Sequence, residues 1–188
     1  DISLPALRAF VADPGRIGQP FLGEYIVWEG SGSSGEPATF VQDAPSLAVY
    51  DALEASRRSV ARTWERLLDP LLVSQRHAFV GATEGHFASV VTMQRLRRLY
   101  PWLTAGWRTF SILQPTPALV EQLNDFAPTT LATYPTAAEL LGEEAERGTL
   151  RIAPREIWTG GETLSRAVRQ RIQRIFGCAL RNSYGASE

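Results

Sequence analysis

A chain of 188 residues, 44% hydrophobic and 21% charged, is long enough to bury a sizeable core and is too apolar to be disordered, so it reads as one globular domain. A formal net charge of −1 and a pI near 6.2 provide no electrostatic footprint for nucleic acid or an acidic membrane surface. All 19 basic residues are arginine, so chemistry that needs a lysine amine cannot come from these residues. The single cysteine, Cys178, forms no internal disulfide, which fits a cytoplasmic setting. No apolar run approaches the length of a membrane span, and no basic-then-apolar signal opens the chain. The only methionine is Met93 and the first residue is Asp1, from which we expect a piece of a longer enzyme.

In chain order, Ser3 before "LPALRAFVA" predicts a short capped helix closed by "DPG". "EYIVWEG", residues 24–30, and "ATFVQD", residues 38–43, read as strands, with the small-residue loop "SGSSGEP" between them. Asp43 and Pro45 open a helix expected to reach about Leu68, whose Tyr50, Leu53, Val60, Trp64, Leu67 and Leu68 recur on one face as a core stripe. Downstream, "HAFVGA", "WRTFSIL", "TTLATYP" and "REIWTGG" read as strands, separated by helical patterns near 87–99, 116–126, 136–147 and 163–176. Strands alternating with helices predict an α/β domain with a largely parallel sheet.

The loop "SGSSGEP" has two readings. Glycine with serine is the composition of a flexible linker, yet this loop is short, flanked by strand-like apolar residues and stiffened at its exit by Pro37. As a phosphate loop, Gly32 and Gly35 would turn backbone amides toward an anion while Ser31, Ser33 and Ser34 supply hydroxyls. A Walker loop is excluded because no lysine is present, and no GxGxxG opens a helix directly after a strand. The last 30 residues, from "TGGETLSRAVRQRIQ" to "YGASE", add glycine turns at Gly160 to Glu162 and at Gly185, where strands of an α/β sheet would end and ligands bind.

"SGSSGEP", "GGE" and "YGASE", in this order, resemble the signature set of the acyl-adenylate-forming, AMP-binding superfamily. The stretch "LATYPTAAELLGEEAERGTLRIAPREIWTGGETL" most resembles the phenylacetate-CoA ligase group and related synthetases that adenylate a deazaflavin coenzyme. The resemblance implies a fragment of the large N-terminal domain of such an enzyme, a mostly parallel sheet with helices on both faces. It also implies an ATP- and Mg2+-dependent ligase that turns a carboxylic acid into its acyl-adenylate, with coenzyme A as the usual acceptor.

Residue by residue, the resemblance implies that Ser31, Gly32, Ser33, Ser34 and Gly35 wrap the β- and γ-phosphates of ATP. Glu36 departs from the family's frequent lysine. Gly160, Gly161 and Glu162 would border the adenine, the ring of Tyr184 would stack on it with Gly185 beside it in the nucleotide site, Ser187 would meet the α-phosphate and Glu188 would hold Mg2+. The ribose-binding aspartate and the C-terminal domain with its catalytic lysine would lie beyond Glu188, so this chain alone is expected to be inactive as a ligase. The expected partners are the acid, ATP and that domain; a homodimer is compatible with the resemblance.

Other residues have competing readings. His86 either lines the carboxylate pocket or is a helix-start histidine without catalytic role. His77 reads as strand-edge surface, Cys178 as a small buried residue, and Arg166, Arg169, Arg171 and Arg174 as a solvated helix face. Two histidines and one cysteine without ligand spacing argue against a zinc site. Trp102, Trp107, Phe110 and Tyr134 read as core or pocket wall, with Tyr134 and Pro135 as candidates for shaping the acyl site. The rival functions are a non-catalytic nucleotide-binding or regulatory module and a plain interaction domain whose glycine loops are only turns.

Overall fold

The computed structural model describes residues 2–30, 37–57 and 74–183, with backbone alone for 54–57. The chain forms two compact units, Asp1–Val73 with Glu84–Ala105, and Ser74–Thr83 with Gly106–Glu188.

In the first unit, α1 (Leu4–Val11) begins where the Ser3 hydroxyl accepts a hydrogen bond from the Ala6 amide, as a serine cap should. Its Leu7 and Phe10 pack with Phe21 and Val27 in a small core, the Phe10 and Phe21 rings meeting edge-on at 5.3 Å. Asp13 then accepts from the Gly15 amide and caps a single 3-10 turn, Pro14–Arg16, so "DPG" does close the helix. Strands β1 (Ile26–Glu29) and β2 (Thr39–Gln42) pair antiparallel, Ile26 opposite Gln42 and Glu29 opposite Thr39. Most of "SGSSGEP", from Ser31 to Glu36, lies outside the described residues.

Helix α2 (Ala44–Arg57) opens at Asp43, whose carboxylate accepts from the Ser46 amide at 2.9 Å. The Ser46 hydroxyl first, and then this amide, hold the Asp43 carboxyl below its usual range. Leu47 of α2 packs with Ile26 and with Val91 of α3 (Ala88–Leu99). The expected core stripe is corrected at its start. Tyr50 and Leu53 are 38% and 52% exposed, because α2 turns Leu47 inward, leaving them on its flank; the remainder of the stripe lies outside the described residues. Trp102 is likewise surface, not core.

The second unit is a five-stranded, wholly parallel sheet in the order β4, β3, β5, β6, β7, built from β3 (His77–Gly81), β4 (Trp107–Ser111), β5 (Thr130–Thr133), β6 (Glu156–Gly160) and β7 (Ala179–Ser183). Helices α4 (Thr116–Phe126), α5 (Pro135–Glu146) and α6 (Arg166–Phe176) connect its strands. The alternate residues Ala78 and Val80, with Phe110, Leu131, Ile157 and Leu180, meet Leu119, Leu123, Leu141 and Ile172 of the helices in one core. Val80, Leu123, Leu131, Leu141, Ile157 and Ile172 are completely shielded, each worth about 1.5–3 kcal/mol of transfer free energy.

Polar side chains stitch the helix ends where hydrophobic contact runs out. Asn124 accepts from the Arg151 amide at 2.7 Å and donates to the Thr149 carbonyl at 2.9 Å, tying α4 to the turn after α5. Helix α6 begins at Arg166 rather than 163 because Ser165 caps it through the Val168 amide. Its arginines are not uniformly solvated: Arg169 donates to the Leu180 carbonyl, and Arg171 bridges to Glu146 of α5. His77 sits at the start of an internal strand, its ring 5.3 Å from that of Trp107, which corrects the strand-edge reading. Among the described residues no helix is long and apolar enough to cross a membrane.

Candidate functional site

Because every strand of the second unit runs the same way, the carboxyl ends of β3, β4, β5, β6 and β7 lie along one edge of the sheet. In open α/β sheets that carboxyl edge is where ligands bind. Three of these strand ends are tied to one another by side chains.

The loop after β5 begins with Tyr134, which precedes Pro135 at the first position of α5. Proline fits there because its missing amide would have no helical partner. The Tyr134 hydroxyl accepts from the Ala82 amide, just past β3, at 3.4 Å. Its ring lies against Gly161, just past β6: a Cβ on Gly161 would stand 3.2 Å from two ring carbons, and Gly161 has φ +77°, a left-handed conformation that favours glycine. One residue on, Glu162 reaches back to α5, its Oε2 accepting from the Thr136 amide and its Oε1 from the Thr136 hydroxyl, both at 3.0 Å.

Strand β7 joins this edge through close backbone approach. A Cβ on Gly160 would lie 3.2 Å from the Ser183 carbonyl oxygen, so the last residues of β6 and β7 leave no room for a side chain between them. Just below, the Thr133 hydroxyl donates to the Val80 carbonyl at 2.8 Å, and the Thr159 hydroxyl lies 2.9 Å from Asn182 Oδ1. These buried or half-buried hydroxyls lock neighbouring strands immediately beneath the loops. The edge therefore presents bare glycine backbone, one aromatic ring and a fixed carboxylate on a rigid base.

Of the residues singled out in the sequence, Gly160, Gly161, Glu162, Tyr134 and Pro135 come together here. Ser31, Gly32, Ser33, Ser34, Gly35, Tyr184, Gly185, Ser187 and Glu188 lie outside the described residues. His86 belongs to the first unit. Its side chain is 1% exposed, its ring is 5.5 Å from that of Phe10, and its carbonyl accepts from the Glu29 amide at 2.8 Å. Neither ring nitrogen has a hydrogen-bond partner among the described residues.

Thr136 and Ala82 went unnoticed in the sequence. Thr136 is 26 residues from Glu162, so no local capping pattern could have paired them. Cys178 is half-buried, and burial, with the Glu156 charge adding to it, pushes its thiol above the ordinary value, which keeps it from acting as a thiolate nucleophile. Among the described residues no three histidine, cysteine, aspartate or glutamate side chains gather in a way that could hold a metal. An open groove lined by Val120, Glu121, Asn124 and Arg151 contains none of the strand-end residues.

No family model matches the chain, and no curated protein matches it. Solved structures do. The luciferase-like enzyme from the nonluminescent Zophobas morio mealworm aligns at a TM-score of 0.51 and 16% identity, over 86% of this chain and 34% of that one. A 2-hydroxyisobutyryl-CoA ligase in the postadenylation state, in complex with R3-HIB-AMP, aligns at 0.51 and 17% identity, over 95% of this chain and 34% of that one. The chain thus spans about a third of the length of these structures and is similar to them in its α/β fold.

Proposed function

We propose that this chain is the nucleotide-binding part of an adenylate-forming ligase that activates a carboxylic acid with ATP. The observation that carries the reading is the joining of the β3, β5 and β6 ends by Tyr134, Gly161 and Glu162 at the ligand-binding edge of a parallel sheet. The likeness of fold to a CoA ligase holding an AMP conjugate supports it, as do the three motifs "SGSSGEP", "GGE" and "YGASE".

In this reading the flat glycine backbone at Gly160 and Gly161 receives the adenine, and Tyr184, next after β7, stacks on it. Bare backbone suits both positions, because a Cβ would press on the Ser183 carbonyl at Gly160 and on the Tyr134 ring at Gly161. Ser31 to Gly35 wrap the β- and γ-phosphates and Ser187 meets the α-phosphate. Glu188 would be the oxygen ligand of Mg2+, whose charge neutralises the phosphates. The substrate carboxylate then displaces pyrophosphate from the α-phosphorus, helped mainly by positioning and by stabilisation of the developing charge. Tyr134 and Pro135 would shape the acid's pocket.

Within the superfamily, the phenylacetate-CoA ligase group is the nearest pattern, with coenzyme A as acceptor, a lysine-bearing C-terminal domain as partner and the cytoplasm as location. The test is carboxylate-dependent ATP/pyrophosphate exchange by the whole protein over a panel of aryl and aliphatic acids. Exchange with one acid identifies the substrate. ATP binding without exchange across the panel would replace the ligase by a regulatory module, and no ATP binding at all would leave an interaction domain.

A further inference from the structure

We propose that Glu162 is a positioning residue, which acts on a bound nucleotide through Thr136 and the Gly160–Gly161 backbone and not through its own carboxylate. The inference rests on the reading that this edge of the sheet receives a nucleotide, and goes beyond it by separating what the glutamate touches from what it holds.

Helix α5 has a deficit at its first turn. Tyr134, the residue before the helix, contributes no side-chain hydrogen bond to it, and Pro135 has no amide. The Thr136 amide is therefore an early helical donor without a partner from its own segment, at the end of the helix where the aligned peptide dipoles favour negative charge. Glu162 supplies the missing acceptor from the loop after β6, and engages the Thr136 hydroxyl with its other oxygen. Both carboxylate oxygens are thus committed to the scaffold.

The consequence falls on the two preceding residues. Gly161 turns through φ +77° against the Tyr134 ring, and Gly160 lies against Ser183 of β7, so the path of this segment is fixed at one end by β6 and at the other by the Glu162 anchor. Releasing the anchor frees the backbone that would face the adenine. Four variants separate the roles: Glu162→Ala removes both bonds of the anchor, Thr136→Val removes the hydroxyl bond and keeps the amide one, Glu162→Gln can keep two weaker bonds with its amide oxygen and nitrogen, and Thr136→Ser keeps both donors.

The experiment measures ATP affinity by calorimetry on the whole protein, well below its unfolding temperature, and hydrogen exchange at the Thr136 amide. We expect Glu162→Ala and Thr136→Val to weaken ATP binding by about threefold to tenfold, the scale of one or two net hydrogen bonds. Glu162→Gln should lose less, Thr136→Ser should match the parent, and Glu162→Ala should speed exchange at Thr136. If Glu162→Gln weakens binding while Thr136→Val does not, the carboxylate touches the nucleotide directly and the proposal falls. Unchanged ATP affinity in folded Glu162→Ala and Thr136→Val also overturns it, leaving a helix cap alone. No ATP binding by the whole parent protein overturns the nucleotide reading itself, whereas unchanged Thr136 exchange in Glu162→Ala, with ATP still bound, overturns the anchor and leaves that reading standing.

Discussion

Gly161 lies against the ring of Tyr134 so closely that a single added carbon would come within 3.2 Å of Cδ1 and Cε1. The contact joins the loop after β6 to the loop after β5, and Gly161 holds it in a left-handed conformation that an alanine adopts only under strain. Gly161→Ala should therefore lower stability by about 1–2 kcal/mol, the scale of a residue with a Cβ held at positive φ. It should also weaken ATP binding as the loop shifts off the ring. Gly148, also at positive φ but with open space around it, is the control: Gly148→Ala should lower stability and leave ATP affinity unchanged.

Leu141 is fully shielded in the core between α5 and the sheet. Leu141→Ala removes its buried methyls and leaves a cavity that the surrounding strands cannot close, a loss of about 2–5 kcal/mol. Urea denaturation should show the midpoint falling with the slope unchanged. A loss under about 0.5 kcal/mol would mean that this part of the core is loosely packed.

In the first unit, the Arg95 side chain is 10% exposed and pairs through its Nη2 with Asp51 of α2, while its Nε has no partner among the described residues. Asp51→Ala would strand a buried guanidinium and should destabilise the protein by about 1–3 kcal/mol. Arg95→Met removes the charge but keeps most of the packing, so the double variant should be less unstable than the sum of the two. Additive effects would show that the pair contributes no coupling.

The Glu144 carboxyl is held below its usual range first by the Thr149 hydroxyl and then by Arg147. Asp43 is held down by Ser46. A carboxyl that is more acidic in the folded than in the unfolded state contributes stability above its unfolded value, and that contribution is lost as the pH falls through its folded value. Melting temperature should therefore decline as the pH drops through and below the ordinary carboxylate range. Thr149→Val should flatten this decline while acting little near neutrality on the slope; an identical acid profile in the variant would rule Glu144 out as a contributor.

The order of elements was legible because each has a local cause. Ser3, Asp43 and Ser165 cap helices through bonds three residues away, and the runs "HAFVG", "TLAT" and "EIWTG" carry the β-branched and aromatic residues of buried parallel strands. Gly160 and Gly161 could be singled out because glycine is the residue for close approach and positive φ. By contrast, the partnership of Glu162 with Thr136, the Ala82 amide on the Tyr134 hydroxyl and the burial of the His86 ring against Phe10 depend on contacts between segments far apart in the chain. So does the strand order, in which β3 lies between β4 and β5.

What the amino-acid sequence by itself determined is therefore the kind of element at most positions and the glycines that close approach and positive φ require, since propensity, capping and glycine freedom act over a few residues. Only the tertiary structure decided which strand ends meet and that Glu162 is spent on a helix terminus. It also decided that Tyr50, Leu53 and Trp102 face outward, because burial and pairing follow from packing between segments that no local pattern encodes.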